Sequence, residues 1–286
     1  MKIKESFSVK AFRVFDYALI SCLVLICLYP FWHVLMASFS DPHRFMGHRG
    51  VLLKPIGFTL DAYKKVLTDV RIYTGFGNTL LYLITGVPLS IVVTVLGAYF
   101  MSRKGMFFKK PIILYCFFTM YISGGMIPFY LNLKELGLTG HRLSVIIPFC
   151  LSTYNMIIMR TAFDSVPESL SDAARIDGAG HMTIMFRVML PVCKATVAVI
   201  SMYYGMNIWN RWFWEDRLLD SEKKWPIQAV LRSFILEENS DGQVEVFEVA
   251  TLKYAVIIVA MIPVLIIYPM LQKYFTKGVM IGSVKG

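Results

Sequence analysis

The sequence predicts an all-α protein that crosses a lipid bilayer six times. Of the 286 residues, 56% are hydrophobic and only 17% are charged, a composition typical of membrane proteins. The apolar residues are grouped into stretches that approach the roughly 20 residues a helix needs to cross about 30 Å of hydrocarbon. The six predicted spans are residues 17–37, 79–100, 112–131, 144–159, 195–209 and 254–270.

Three of these spans need comment. The first could be a cleaved secretory signal, but its apolar run is longer than the usual 7–15 residues and no small-x-small pattern follows, so we expect it to be retained. In the third, the Gly124-Gly125 pair and Pro128 predict a bent or broken helix. The fifth has the weakest apolar pattern because Asn207 and Asn210 interrupt it.

The orientation follows from Lys and Arg residues near the ends of the spans, which favour the cytoplasm. Two short clusters, before the first span and after the second, consist of Lys2, Lys4, Lys10, Arg13, Arg103, Lys104, Lys109 and Lys110. With six spans, both termini lie in the cytoplasm, as do segment 165–191 and tail 273–286. The long segments 38–78 and 211–253 lie on the outer side of the membrane. This topology largely explains the net charge of +10, so nucleic-acid binding, which needs one clustered basic surface, is not predicted.

The sequence lacks charged residues in the predicted membrane cores and lacks common catalytic motifs, which argues against several classes of carrier and enzyme. The predicted membrane cores contain no Asp, Glu, Lys or Arg, whereas ion-coupled carriers usually keep an ionisable group near the midplane. No phosphate-binding loop, zinc-binding pair or nucleophile elbow is present, so the chain is expected neither to hydrolyse ATP nor to act as a membrane enzyme, and no cofactor is expected on this chain. The five cysteines lie in or beside spans, where they suggest packed thiols rather than metal ligands: Cys22, Cys27, Cys116, Cys150 and Cys193.

Segment 165–191 is polar and has a helical pattern within an otherwise apolar chain. Ser165 and Glu168 have the spacing of a capping box and Pro167 is tolerated in a first helical turn, so a helix is predicted to begin here. Gly178 is predicted to end it. The segment is interpreted as a docking element, with a solvated amphipathic loop as the alternative.

Three short runs in this segment match a motif of a known protein family. They are Asp172-Ala173-Ala174, Asp177-Gly178-Ala179 and Val188-Met189-Leu190-Pro191. They resemble the EAA loop in the permease subunits of bacterial ABC importers, with Asp172 in place of the usual Glu. The segment is most similar to sugar importers of the maltose type. The six-span layout and the ending 277–286 extend the resemblance over the chain, in the second-permease subgroup that includes the LplC and YtcP proteins. Gly180 and Ala195 depart from the family pattern, where Ser and Pro are common.

The resemblance implies a fold, partners and roles. The fold would be that of a type I (MetI-like) importer permease in the bacterial cytoplasmic membrane. The partners would be a second permease, two ATPases that bind ATP and Mg²⁺, and an extracytoplasmic sugar-binding protein. A first short helix, 166–176, would enter a cleft on the ATPase, and a second, through Phe186 and Val188, would pack under the spans. The implied ATPase-coupling residues are Asp172, Ala173, Ala174, Asp177, Gly178, Leu190 and Pro191.

A path for sugar needs hydrogen-bonding groups and aromatic faces inside the membrane. The candidates are Tyr121, Tyr154, Asn155, Tyr204, Asn207 and Trp209. The Asn residues could instead join helices by hydrogen bonds, and the Tyr and Trp residues could mark a membrane interface. By position, outer residues 219–241 correspond to a family loop that reaches into the binding protein, and an ordinary solvated loop is the alternative. The subgroup suggests oligosaccharides or uronate-containing fragments. An ion-coupled carrier is the alternative function, and a membrane-anchored enzyme or assembly factor is a third.

Overall fold

The structure is a computed structural model that describes residues 7–105, 107–237, 251–267 and 269. Within these residues the chain is helical, and the single β-type feature is an isolated bridge between Ser40 and Phe58, so the predicted all-α class is confirmed. The α-helices are α1 (Phe7–Ser38), α2 (Pro42–Met46), α3 (Asp61–Thr68), α4 (Val70–Ser102), α5 (Lys109–Tyr121), α6 (Met126–Glu135), α7 (Thr153–Asp164), α8 (Glu168–Ile176), α9 (His181–Thr183), α10 (Leu190–Val192), α11 (Lys194–Asn210), α12 (Phe213–Leu218), α13 (Ile227–Glu237) and α14 (Thr251–Ile267). Short 3₁₀ turns cover Arg142–Val145, Ile147–Phe149 and Glu222–Lys224, and a π-helical turn covers Ile184–Met189.

Two of the helices in the described part of the chain are long and apolar enough to cross a membrane alone, and they contain the first and second predicted spans. These helices are α1 and α4, of 32 and 33 residues. Each contains an internal proline, Pro30 or Pro88. Both helices continue beyond the predicted apolar cores, because the hydrophobic pattern marks only the part that lipid requires to be apolar.

Three further candidate spans are helix pairs with a sharp bend. The axes of α5 and α6 differ by 117°, those of the 142–149 turns and α7 by 47°, and those of the 181–192 segment and α11 by 87°. The bend predicted at Gly124-Gly125 is confirmed, with Gly125 at a φ of 90°. The fourth predicted span is α-helical only from Thr153, because Pro148 lies in a 3₁₀ turn before it. The described helices therefore give two spans, or five if each bent pair counts as one, and six spans stay a prediction.

The chain folds into two compact units. Of the described residues, the first unit comprises 7–69, 233–237 and 251–262, and the second comprises 70–105, 107–232, 263–267 and 269. In the first unit, Ser40 Oγ at the end of α1 donates to the Met36 carbonyl at 2.7 Å and accepts from the Ile56 N–H at 3.0 Å. This serine holds the segment after α2 against the end of α1. The end of the sixth predicted span and tail 273–286 lie outside the described residues, apart from residue 269.

In the second unit, α4, α7 and α11 pack against one another. Their core is continuous with the 165–191 segment: its buried residues include Val95, Met156, Met159, Phe163, Ile184, Met185, Met189, Cys193 and Ile200. The helical core therefore supports this segment directly. The prediction of packed thiols is confirmed for the buried Cys193 but is wrong for Cys22 and Cys27, whose side chains are exposed in this chain.

Candidate functional site

The helix α8 begins at Glu168, two residues later than the predicted start at residue 166. Pro167 occupies the N-cap position and makes no side-chain capping hydrogen bond. The predicted capping box is wrong because Ser165 belongs to the end of α7: its hydroxyl donates to the Ala162 carbonyl at 2.7 Å. Proline supplies a φ suited to entering the helix, and only a short connection separates α7 from α8.

The end of α8 is a Schellman turn centred on Gly178, the residue that was predicted to end this helix. The N–H of Gly178 donates to the Arg175 carbonyl at 3.0 Å, and the N–H of Ala179 donates to the Ala174 carbonyl at 2.9 Å. Gly178 has a φ of 79°, a conformation that costs residues with a Cβ atom but not glycine. These two bonds fix the direction in which the chain leaves α8.

The inner face of α8 packs on the protein itself. Ser171 is buried, and Val166, Ala174 and Ala179 are half-buried against the helical core. The structure thus separates two residues that the sequence analysis treated alike: Ala173 is exposed, whereas Ala174 lies on the inner face. Ala174 is occupied by contacts within this chain, and Ala173 is available to a partner.

The outer face of α8 combines apolar and charged residues. Ile176 is 87% exposed and Leu170 is 42% exposed, and Asp172 and Asp177 are exposed beside them. Asp172 accepts a hydrogen bond from Arg175 Nη1 at 3.4 Å within the helix. An exposed isoleucine next to carboxylates is suited to an interface with an apolar pocket and basic groups.

The first turn of α8 is joined to the residues after α4 by an ion pair. Lys104 Nζ donates to Glu168 Oε2 at 2.5 Å. The hydrogen bond and the charge of Lys104 lower the pKa of Glu168, and the same contacts with Glu168 raise the pKa of Lys104. This contact was not predicted, because Lys104 was considered only as evidence for orientation, although the sequence shows both a basic residue after a span and an acidic residue in the first turn of the next polar helix.

The second short helix is irregular. Gly180 is its N-cap in an extended conformation, and α9 passes through the π-helical turn 184–189 into α10. The buried side chains are Ile184, Met185 and Met189, whereas Phe186 is 44% exposed. The expectation that Phe186 packs under the spans is therefore wrong, because the π-helical turn orients residues 184, 185 and 189 toward the core.

The end of this segment holds the remaining two residues predicted for coupling. Leu190 is half-buried against the helical core, and Pro191 is exposed within α10. Pro191 has no N–H to donate, and the helix breaks two residues later at Cys193, where the chain bends into α11. Leu190 and Pro191 therefore lie at the joint between the segment and the next span.

A separate cavity of about 620 Å³ lies between the start of α7 and the middle of α11. It brings together four of the six residues predicted for a substrate path. The lining residues are Pro148, Phe149, Leu151, Ser152, Tyr154, Asn155, Tyr203, Tyr204 and Asn207. Phe149 was not among the predicted path residues, because the turn that presents it was expected to be an ordinary part of the fourth span.

One wall of this cavity is held by Tyr204. Its hydroxyl forms a hydrogen bond with Thr94 Oγ1 at 2.7 Å and accepts the N–H of Ser152 at 2.9 Å. Tyr204 and Asn155 are each 4% exposed, whereas Tyr154 is 56% exposed. Tyr204 therefore positions the start of α7, and Tyr154 and Asn207 offer the accessible ring and amide.

The other two predicted path residues do not line this cavity. Tyr121 is 83% exposed at the end of α5. Trp209 is 7% exposed, and its ring lies 6.4 Å from that of Phe76. Trp209 thus packs between helices, which is neither the predicted path position nor the membrane interface that was the alternative for the aromatic residues.

A buried ion pair lies close to the cavity. Glu215 is 1% exposed, and its Oε1 accepts a hydrogen bond from Arg211 Nε at 2.5 Å. Arg211 also donates to the Val145 carbonyl at 2.5 Å and lies 4.3 Å from the centre of the Phe149 ring. Burial raises the pKa of Glu215, although Arg211 acts in the opposite direction. The pair fixes Phe149, a cavity residue, to α12.

The described part of segment 219–241 is packed at its base. Leu219 is 7% exposed, and Lys224 Nζ donates to Asp220 Oδ1 at 2.6 Å. Asn78 on α4 donates to the carbonyls of Lys223 and Trp225 at 2.8 and 3.0 Å. Residues 238–241 lie outside the described part, and entry of this segment into a binding protein stays a prediction.

Comparison with known proteins assigns these features to a family. The sequence profile described as "Binding-protein-dependent transport system inner membrane component" matches residues 70–281. The chain is 36% identical to the Bacillus subtilis polygalacturonan/rhamnogalacturonan transport system permease protein YtcP over 96% of this chain and 99% of that protein. It is 33% identical to protein LplC of the same organism over 100% and 99% of the two chains.

The fold also matches solved structures. A chain of a bacterial ABC transporter involved in the import of the acidic polysaccharide alginate superposes with a TM-score of 0.88 at 32% identity, covering 96% of this chain and 100% of that one. A chain of an alginate ABC transporter in complex with an alginate pentasaccharide-bound periplasmic protein has a TM-score of 0.61 at 17% identity. The second similarity supports the fold alone.

Proposed function

Because the chain belongs to the family of binding-protein-dependent transport system inner membrane components, we propose that it imports an acidic oligosaccharide and is driven through its 165–191 segment. The chain is a permease subunit of an ABC importer in a cell membrane, and partner subunits hydrolyse ATP. A second permease and a binding protein complete such an importer. The family decides against an ion-coupled carrier and against a membrane-anchored enzyme.

The outer face of α8 carries the coupling proposal. Ile176, at 87% exposure, is held at the end of a helix whose inner face is packed on the core. A helix supported in this way can enter a groove with its exposed side chains as anchors. Ala173 is small enough for close approach, and Asp172 and Asp177 would meet basic groups of the ATPase. Gly178 would keep the turn, and Leu190 and Pro191 would pass movement into α11.

This docking requires α8 to face the cytoplasm, where the ATPases bind. The topology proposed here is therefore six spans in the bacterial cytoplasmic membrane, with both termini inside. The basic residues after α4 support it, because Lys and Arg near span ends favour the cytoplasmic side. Each nucleotide state of the ATPases would stabilise one conformation of the permease, which is the energetic requirement for coupling.

The cavity supports a carbohydrate as the transported molecule. Tyr154, with its ring 6.4 Å from that of Tyr203, offers a surface on which a sugar ring can stack, and Asn207 offers an amide for hydroxyl groups. The nine residues that line the cavity are all uncharged. For an acidic sugar, the carboxylates would therefore be recognised by the second permease or the binding protein, while this chain contacts the rings and hydroxyls.

The coupling proposal is tested with the assembled transporter, with Ile176→Asp as the main variant. Leu136→Asp is the matched control, because Leu136 is 65% exposed but lies after α6, outside the 165–191 segment. We expect Ile176→Asp to lose co-purification of the ATPases and to lose uptake, and Leu136→Asp to keep the ATPases bound. Retention of the ATPases and of uptake by Ile176→Asp would remove the basis of the proposal.

The substrate proposal is tested separately by transport assays in proteoliposomes. Labelled oligogalacturonate and a neutral oligosaccharide of equal length are offered with the cognate binding protein. We expect uptake of the acidic sugar, and we expect Tyr154→Ala to lower the uptake rate about two- to tenfold through loss of ring stacking. Uptake of the neutral sugar alone would contradict the acidic substrate and leave the coupling proposal standing.

A further inference from the structure

The 165–191 segment is joined to the end of α4 and the two residues that follow it by three side-chain contacts, although the segment is covalently connected to α7 and α11. Tyr99 Oη lies 3.2 Å from His181 Nδ1, Arg103 Nη2 donates to Met189 Sδ at 3.3 Å, and Lys104 Nζ donates to Glu168 Oε2 at 2.5 Å. The contacts therefore reach both short helices of the segment from one end of one long helix.

Tyr99 lies at the centre of this arrangement. It is 8% exposed, and its ring meets the rings of Phe163 and His181 edge-on at centroid distances of 6.2 Å each. The guanidinium of Arg103 lies 4.4 Å from the centre of the Tyr99 ring. The ring is thus fixed by two edge contacts and a cation–π contact, and its hydroxyl is directed at His181.

The same helix α4 reaches the cavity. Thr94 precedes Tyr99 by five residues, which corresponds to about 7.5 Å along a helix, and its hydroxyl forms the 2.7 Å hydrogen bond with Tyr204 in the cavity wall. A displacement of α4 along or about its axis must therefore change the position of the cavity wall or break this bond.

We infer that Tyr99 is a positioning residue that transmits movement of the 165–191 segment into α4 and thereby into the cavity. The inference rests on the proposed function of that segment in ATPase coupling. Without the Tyr99–His181 contact, α4 would follow the segment less closely, because only the Arg103–Met189 and Lys104–Glu168 contacts and core packing would still join them. The covalent connections to α7 and α11 would remain, so loss of the contact reduces the response of the cavity rather than the binding of the ATPases.

The test measures how far ATP opens or closes the cavity, which requires no knowledge of the transported sugar. Asn207→Cys provides a reporter thiol in the cavity of the assembled transporter in proteoliposomes. Its rate of modification by a membrane-impermeant maleimide is measured by peptide mass spectrometry with and without a non-hydrolysable ATP analogue plus the binding protein. The ratio of the two rates in the otherwise wild-type protein is the reference value.

Tyr99→Phe keeps the ring contacts and removes only the hydroxyl. We expect it to reduce the nucleotide-dependent ratio about two- to tenfold, as for the loss of one hydrogen bond, while ATPase co-purification stays unchanged. Tyr115→Phe on α5 is the matched control, because Tyr115 is 69% exposed, and it should keep the wild-type ratio. Tyr99→Phe combined with His181→Ala should be no worse than the more severe single variant, because both remove the same contact.

Two results would overturn the inference. One is a wild-type ratio in Tyr99→Phe together with a wild-type ratio in Tyr99→Leu, which also removes the ring. The other is full additivity of the Tyr99 and His181 variants. Ile176→Asp distinguishes this failure from that of the proposed function: if it abolishes ATPase binding while Tyr99→Phe and Tyr99→Leu both keep the wild-type ratio, docking stands and the Tyr99 inference falls. If Ile176→Asp changes nothing, the proposed function falls and the inference with it.

Discussion

Lys104 Nζ donates to Glu168 Oε2 at 2.5 Å and so joins the residue pair across 64 positions of sequence. Both side chains are exposed, at 79% and 55%. A surface ion pair of this kind is screened by salt and contributes little to overall stability. Its effect is local: it holds the first turn of α8 against the end of α4, where no capping side chain supports that turn.

Reversal of one charge in this pair should loosen the start of α8. Lys104→Glu is expected to increase amide hydrogen exchange in the first turn of α8, and Lys104→Glu with Glu168→Lys should restore protection. The difference should shrink at high salt because the pair is exposed. Equal protection in the single variant and the wild type would show that Pro167 alone fixes the turn.

The same pair has a defined pH dependence. Since Lys104 lowers the pKa of Glu168 in the folded protein, the local stabilisation is present above the ordinary carboxyl pKa of about 4.3 and is lost as the pH falls through the lowered value. Exchange corrected for its intrinsic pH dependence should show this loss only in proteins that keep Lys104. A loss of protection of equal size in Lys104→Glu would show that another titrating group, and not this ion pair, causes the pH dependence.

Substitution of Ala174 by arginine should lower the stability of the protein, whereas the same substitution of its neighbour Ala173 should mainly impair ATPase binding. Ala174→Arg places a long charged side chain against the helical core, and an overpacking cost of about 1–3 kcal/mol is expected, seen as a lower melting temperature. Ala173→Arg is exposed and should change stability by no more than about 0.5 kcal/mol, yet it should block ATPase binding. Normal melting of Ala174→Arg would contradict its inner-face position.

The turn at Gly178 allows a clean comparison of two glycines. Gly178→Ala is expected to destabilise the protein by about 1–2 kcal/mol because the φ of 79° suits only residues without a Cβ atom. Gly180→Ser, at an N-cap with a φ of −74°, should be neutral or stabilising by a few tenths of a kcal/mol. No atoms lie within 4 Å of a Cβ added at either site, so a similar loss in both variants would refute the backbone explanation.

Because Glu215 is buried and paired with Arg211, its removal should strongly lower the stability of the protein. Glu215→Ala leaves the largely buried Arg211 without its carboxylate partner, and a cost of about 3–5 kcal/mol is expected. Asp216→Ala is the control, because Asp216 is partly exposed and pairs with Arg217 at the surface; its cost should stay below about 1 kcal/mol. Thermal unfolding of the purified transporter measures both, and equal melting temperatures would show that the buried pair contributes no net stability.

These relationships mark how far the sequence could predict the structure. The long helices α1 and α4 followed from continuous apolar runs, and the break after α5 followed from Gly124-Gly125, because both signals are local. The capping box failed because the hydroxyl of Ser165 is used by the end of α7. Adjacent alanines give no signal of their own about which one faces a core, so Ala173 and Ala174 could not be separated.

Some residues of the candidate site were predicted from the sequence and others were not. Four polar and aromatic residues in neighbouring spans, Tyr154, Asn155, Tyr204 and Asn207, do line one cavity. Trp209 was placed in the same group, but its side chain points to a helix interface, which only the rotation of α11 decides. The contact of Tyr99 with His181 joins positions 82 residues apart, and no single-sequence pattern specifies such a pair.

The central claim, that the outer face of α8 binds the ATPase in the cytoplasm, is tested most directly by photo-crosslinking. A photoreactive amino acid replaces Ile176 in the assembled transporter in intact cells, and the same amino acid replaces Leu136 in a parallel sample. We predict that crosslinks to the ATPase subunit form from position 176 and not from position 136. Crosslinks from position 176 to the extracytoplasmic binding protein, or ATPase crosslinks from position 136 alone, would contradict the account.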